Sequence, residues 1–223
     1  MNITQVIKKY ANSYYTNSGT NPLVDDIDKA YAYLRKYAID EDEYCCQTLQ
    51  LFRKVFRNML DANYNISSVD IASVFRSGFQ SEVHVASPIF SKETYLLFQE
   101  MCSAYGDRMF YILEDELCEE DTAMVVKLKF PVSTTWNEIM SGEFLSNAIL
   151  RTACRNYYLF GDSGKWGRWC DYDNNWLDYE IMGYSQVLPE TLRYCSELRL
   201  SDIEKKRIDE DLGIPKSIIK YLR

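Results

Sequence analysis

Histidine is nearly absent from the chain, which has one, His84, among its 223 residues. Histidine is the most common general base near neutral pH, and catalytic zinc sites usually take two or three histidine ligands. The sequence therefore argues against enzyme classes whose centre needs several histidines. Because His84 lies between Val83 and Val85 in an apolar stretch, a structural or surface role is expected for it.

The sequence also lacks the segments that insert a chain into a membrane or export it. No run of about 18 apolar residues occurs, so no transmembrane helix is expected. The stretch from Met1 to Tyr15 is polar and aromatic, without the apolar stretch of a secretory signal. We therefore expect a cytoplasmic protein.

Paired cysteine motifs are missing as well. The chain has seven cysteines, an odd number, and no two of them form a CxxC pair. A disulfide framework or a cysteine zinc site would show paired spacing. We expect free thiols, several of them in the core, because unpaired cysteine is often buried. Neither a metal nor another cofactor is expected.

Positive charge is scarce relative to negative charge. Lys and Arg number 25 against 33 Asp and Glu, and the net charge is −8. Nucleic acids and anionic membranes are bound through Lys/Arg surfaces, so neither is expected as a direct partner. A basic protein would be attracted instead, and is the expected partner.

Two short motifs near Gly161 do not meet the requirements of catalysis. Gly161-Asp162-Ser163-Gly164 is similar to the nucleophile motif of chymotrypsin-like serine proteases, but Lys165-Trp166 follows where that family has glycine and proline. A phosphate loop ending at Gly164-Lys165 would need glycine at position 159 and Ser or Thr at 166. Leu159 and Trp166 stand there instead, so a hairpin turn is predicted.

The first half of the chain is mostly helical in pattern. Helices are predicted over 27–38 and 43–60, because apolar residues recur there three and four positions apart. The predicted apolar face of the second comprises Cys45, Leu49, Phe52, Phe56, Met59 and Leu60. A third helix is predicted from the N-cap Ser91 to Gly106. Its apolar stripe comprises Tyr95, Phe98, Met101, Cys102 and Tyr105.

Short strands or extended loops are predicted over 69–75 and 82–86, and strands over 109–113 and 123–130, the last of which shows a period of two. Thr135 with Glu138 is a capping box for a short helix. A meander of three strands follows at 156–160, 165–170 and 177–181, with turns at 161–164 and 171–175. We predict an α+β fold and a single domain, 1–223, in which a helical N-terminal part (1–65) packs on a mixed body (66–223).

One segment is strongly acidic: Glu114 to Asp121 holds six carboxylates in eight residues. It lacks the alternate ligand spacing and the central glycine of a calcium loop. It is either a solvated hairpin loop or a contact surface for a Lys/Arg-rich partner. Tryptophan is enriched in interface hot spots, and two tryptophans of the meander lie near a turn, where exposure is expected. The candidate partner-binding residues are Glu114, Asp115, Glu116, Glu119, Glu120, Asp121, Trp169 and Trp176.

The stretch Tyr157-Tyr158-Leu159-Phe160-Gly161-Asp162-Ser163-Gly164-Lys165-Trp166-Gly167 resembles a segment of small bacterial immunity-type proteins, which neutralise polymorphic or contact-dependent toxins inside the cell. The similar part begins at Trp136-Asn137-Glu138-Ile139-Met140-Ser141-Gly142 and covers about residues 136–185. It departs from the pattern at Arg168-Trp169-Cys170, where a simpler aromatic strand is often found. The resemblance implies structural roles for Asp162 and Trp166, no active site, and inhibition through a preformed, often acidic surface.

Three functional hypotheses follow. The first is a non-enzymatic inhibitor that binds a basic toxin or effector. The second is a phage or mobile-element accessory protein that binds a host enzyme. The third is an enzyme that uses carboxylates or a cysteine, for which Arg151, Cys154 and Arg155 are the local hint, because neighbouring cations activate a thiol.

Overall fold

Six strands pair into one antiparallel sheet that is covered by helices on both faces, in a computed structural model of the protein. The predicted α+β fold is confirmed. The structure describes Gln5 and residues 32–57, 74–85, 92–114, 127–141, 157–172, 178–185, 201–203 and 205–206. The predicted division between residues 65 and 66 lies outside these ranges.

The sheet has the strand order β1-β6-β5-β4-β2-β3. Its strands are β1 (Gln80–Val85), β2 (Met109–Glu114), β3 (Lys127–Pro131), β4 (Tyr157–Gly161), β5 (Trp166–Tyr172) and β6 (Asp178–Tyr184). Because β4, β5 and β6 pair in succession, the predicted meander is confirmed. The predicted turn over 171–175 begins later than expected, since Asp171 and Tyr172 still belong to β5.

The helices in chain order are α1 (described over 32–37), α2 (Glu41–Glu43), α3 (Leu49–Val55), α4 (Lys92–Tyr105) and α5 (Trp136–Met140). A π-helical turn, Tyr44–Thr48, joins α2 to α3. The capping box of α5 is confirmed, since Thr135 and Glu138 bond each other's backbone N–H groups. The end of α4 is also as predicted, because Gly106 has a φ of +78°, which favours glycine.

Alternation along the strands sends side chains to two separate layers. On one face, Phe52 of α3 meets Tyr158 and Phe160 of β4, with ring centroids 4.9 and 6.0 Å apart. On the other face, Phe98 of α4 meets Phe110 and Trp166 at 4.9 and 5.4 Å. All five stripe residues predicted for α4 are buried, which confirms that this helix covers the sheet.

The helix predicted over 43–60 ends earlier than expected. Val55 is its last residue, because Phe56 is extended (φ −103°, ψ 148°) and forms an isolated bridge with Phe75. Val74 is helical rather than extended, so the strand or extended loop predicted over 69–75 is wrong at that residue; 69–73 lie outside the described ranges.

The predicted apolar face of this helix is wrong at Cys45, which is exposed. The buried positions are Tyr44, Thr48, Phe52 and Val55. The π-helical turn explains the difference, because its wider turn advances the helix by an extra residue and rotates the positions before it.

Glycine at position 167 permits the close approach of α3 to the sheet. A Cβ there would lie 2.5 Å from Cζ of Phe56 and 2.7 Å from Cγ1 of Val55. Both neighbours are fully buried, so neither can move without disturbing the layer.

We expect Gly167→Ala to lower the free energy of unfolding by about 1–3 kcal/mol. Urea denaturation measures this, with Gln80→Ala at an exposed position as control; equal stability of the two variants would contradict it.

Candidate functional site

The antiparallel sheet has two ends of different character. At one end, which we call the turn end, β4 and β5 are joined by the tight turn Gly161–Lys165, and β2 begins at Met109. At the opposite end β2 finishes at Glu114 and β3 begins at Lys127. The predicted acidic segment therefore leaves the sheet at that opposite end, which we call the acidic end.

The acidic end collects the chain positions of several candidate residues. Glu114 pairs with Tyr157, the first residue of β4, although its side chain is not described. Trp176 belongs to the connection between Tyr172 and Asp178, which are paired at the same end of the sheet. Because β2 and β5 are separated by β4 alone, the two connections begin about 10 Å apart. The remaining acidic candidates lie outside the described residues: Asp115, Glu116, Glu119, Glu120 and Asp121.

The start of α2 adds described carboxylates to the acidic end. The N–H of Ile39 donates to the carbonyl of Lys127, the first residue of β3, at 3.0 Å. Asp40 caps the helix that follows, and Asp42 is exposed. Glu43 is neutralised by an ion pair with Lys129. The carboxylates before it outnumber the other described cation of this corner, Lys127, whose Nζ lies over the ring of Tyr44.

The prediction that Trp169 is exposed is wrong: 1% of its surface is accessible. It lies opposite Tyr158 and Ile181 in the sheet, on the face that α3 covers. The indole nitrogen is buried and has no hydrogen-bond partner within the described ranges. The reason is positional, since Gly167 and Trp169 are two residues apart on one strand and so share a face. Trp169 is a core residue and not a surface contact.

One row of paired positions crosses the sheet near its acidic end. In strand order it comprises His84, Glu180, Cys170, Tyr157 and Glu114. The backbones of His84 and Cys170 are two strand spacings apart, about 10 Å. A nucleophile and its base must come within about 3 Å, and strand side chains stand perpendicular to the sheet. The register therefore does not favour a cysteine–histidine pair.

At the turn end, the side chain of Asp107 forms a hydrogen-bonded cluster that sequence reasoning missed. Nε1 of Trp166 donates to Oδ2 of Asp107 at 2.6 Å, and the N–H of Ser163 donates to Oδ1 at 2.6 Å. In return, the N–H of Arg108 donates to Oδ1 of Asp162 at 2.9 Å. Two carboxylates thus fasten the β4–β5 turn to the segment between α4 and β2.

The burial of Asp107 determines its chemistry. It is 7% exposed, and desolvation raises its pKa, an effect that the hydrogen bonds from Trp166 and Ser163 partly offset. A Cβ at position 161 would collide with this carboxyl group, so the glycine of the motif is required for the close approach. Asp162 and Trp166 are therefore structural positions.

Three cysteines have described side chains. Cys45 and Cys46 are exposed, and Cys102 is buried on the side of α4 that faces the sheet. Burial, together with the nearby charges of Asp107 and Asp162, raises the pKa of Cys102, which disfavours the thiolate. Arg151, Cys154 and Arg155 lie outside the described residues.

In the ranges that the structure describes, no group of three or more His, Cys, Asp and Glu side chains is placed to hold a metal ion. No helix in those ranges has the length and apolarity to cross a bilayer. Comparison with family models, with curated proteins and with solved structures found no match.

The Asp107–Trp166 contact can be tested by a double-mutant cycle. Trp166→Phe removes a hydrogen bond to a buried carboxylate, and we expect a loss of about 2–3 kcal/mol in the free energy of unfolding. Asp107→Asn loses one acceptor and gives a comparable loss. Because the two groups bond each other, we expect a coupling energy of about 1–2 kcal/mol. Urea unfolding measures the free energy of unfolding of the two single variants and of the double variant, with Trp136→Phe as a half-buried control. If the losses of the two single variants simply add in the double variant, the hydrogen bond is not stabilising.

Glu138 predicts a dependence of stability on pH. Hydrogen bonds from Lys36 and from the backbone and hydroxyl of Thr135 lower its pKa from 4.5 to about 2. Its ionised form is thus favoured in the folded state, and this contribution is full above pH 4.5 and is lost as the pH falls toward about 2. We expect Glu138→Gln to have a lower melting temperature than the wild type near neutral pH. Near pH 2 the two melting temperatures should be equal. A difference that did not change with pH would contradict this.

Proposed function

We propose that this chain is a non-enzymatic inhibitor of the immunity type, which neutralises a basic toxin or effector in the cytoplasm by direct binding through the acidic end. The observation that carries the proposal is the topology of that end. Antiparallel pairing directs the acidic segment 114–121 and the connection holding Trp176 out of the same end of the sheet. Asp40 and Asp42 stand at the start of α2 beside it.

The rigidity of the underlying sheet supports this proposal. The strands that carry the two connections are held between two layers of buried aromatic side chains. Strands that are ordered before binding lose little conformational entropy when a partner binds beside them. Carboxylates at one end also attract a basic partner at a distance and orient it during the encounter. An inhibitor that works by occlusion requires no catalytic group, and this agrees with the resemblance noted for residues 136–185.

The proposal is tested first by identifying the partner. The tagged protein is used to capture partners from its native lysate and is also mixed with the product of the adjacent gene. A stoichiometric basic protein whose activity is lost on binding supports the proposal. If no basic protein binds, either from the lysate or as the product of the adjacent gene, the proposal is contradicted.

The acidic surface is then tested by charge reversal. We expect Glu119→Lys with Glu120→Lys to slow association with that partner by about ten-fold or more at low salt, because steering depends on these charges. The matched control is Glu100→Lys, compared with the single variant Glu119→Lys, an equal change of charge at an exposed position of α4 outside the acidic end. Stopped-flow association rates at two salt concentrations measure the effect. Full affinity of the Glu119/Glu120 variant at low salt would refute the role of the segment.

A further inference from the structure

The turn end carries a cluster of cations, although the chain as a whole is acidic. Its members, which we call the cationic end, are Arg53, Lys54, Arg76, Arg108 and Lys165. Four of them are exposed and Lys165 is half-buried. They come from four separate segments: the last turn of α3, the residues before β1, the residues before β2, and the β4–β5 turn.

Direct contacts hold these segments together. Nε of Arg76 donates to the carbonyl of Arg53 at 2.8 Å. A Cβ at Gly164 would lie 3.4 Å from Cδ of Lys54, which places α3 against the β4–β5 turn. Arg108 is joined to that same turn through its N–H bond to Asp162. Since these segments lie over the strands from β1 to β2, the cluster extends about 20 Å.

No ion pair within the described ranges neutralises the cationic end. None of its five members has a carboxylate within ion-pair distance in the described ranges, whereas Lys36, Lys129 and Lys205 each have one. Three described carboxylates lie at this end: Asp107 is buried, and Asp162 and Glu82 are half-buried, with Glu82 accepting a hydrogen bond from Tyr184. The five cations outnumber these carboxylates, so the described part of the turn end carries an excess of positive charge.

Helix termination explains part of this cluster. Arg53 and Lys54 lie in the last turn of α3, and Nζ of Lys165 donates to the carbonyl of Tyr105, the last residue of α4, at 3.5 Å. Cations favour the negative ends of helix dipoles. Nε of Arg76 likewise donates to the carbonyl of Arg53 in the last turn of α3, so Arg108, which precedes a strand, is the member that no helix terminus explains. The gathering of all five cations at one end of the sheet allows a second role for the set.

We propose that the cationic end binds the phosphate backbone of a DNA or RNA duplex without sequence specificity. Phosphate is contacted by Arg and Lys together with hydroxyl side chains, and Ser77 and Ser185 are exposed on neighbouring segments. A protein interface needs apolar or aromatic anchors at its centre. The exposed large apolar residues in the described ranges are Leu96 and Ile203, and neither belongs to the cationic end.

The net charge of −8 does not prevent this binding. The two ends of the sheet are separated by strands of five to seven residues, about 17–23 Å. The Debye length at physiological salt is about 8 Å, so a duplex at the turn end is largely screened from the acidic end. The expectation of no nucleic-acid partner rested on the charge summed over the whole chain. The local charge leads to a different inference, which is independent of the proposed inhibitor function.

Fluorescence anisotropy with labelled DNA and RNA duplexes of about 20 base pairs tests the proposal. At most five phosphates are neutralised, so the slope of log affinity against log salt should approach about −4.5. We expect Arg53→Gln with Arg108→Gln to reduce that slope by about two and to weaken binding at least ten-fold at low salt. The control, Arg35→Gln with Lys92→Gln, changes two exposed cations outside the cationic end and should leave binding unchanged.

Several outcomes would overturn the proposal. One is the absence of binding to both duplexes at about 50 mM salt, where such contacts are strong. Another is an equal loss of affinity in the test and control variants. Binding to polyglutamate or to vesicles of anionic lipid, but to neither duplex, would assign the surface to an acidic protein or a membrane instead. Circular dichroism of each variant confirms that it is folded.

Discussion

The turn end of the molecule depends on one buried carboxylate, that of Asp107. A carboxylate can be removed from water only if hydrogen bonds replace those it loses. Trp166 and Ser163 supply two of them. Because Asp162 accepts a bond in the opposite direction from Arg108, the turn and the end of α4 hold each other in place. The positions of β2, β4 and β5 at this end follow from that exchange.

Elements with strong local signals could be predicted from the sequence. The stripe of α4 and its terminal Gly106 predicted both the helix and its buried face, because both signals lie within the helix itself. The end of α3 could not be predicted in this way. Phe56 leaves the helix to pair with Phe75, and an apolar residue at helical spacing gives no sign of such a distant partner. The π-helical turn likewise depends on packing that apolar periodicity does not record.

The candidate site was predicted only in part. The acidic segment and Trp176 could be found from composition, but their departure from the same end of the sheet follows from the strand order. Trp169 was predicted to be exposed because alternation does not distinguish two buried faces from one. Asp107 was missed because its partners lie more than 50 residues away. Its sequence signal, a glycine-aspartate pair directly after a helix, has meaning only once the turn beside it is known.

The segment between α1 and α2 affects how the protein behaves in a crowded solution. Ala38 forms a bridge with Leu128, and Ile39 donates to Lys127, so backbone groups on the outer side of β3 already have partners. An unpaired outer strand is a template on which another chain can add a strand, and this is a common route to aggregation. The chain thus covers the first two residues of β3 with its own backbone, which shortens the edge on which another strand could add.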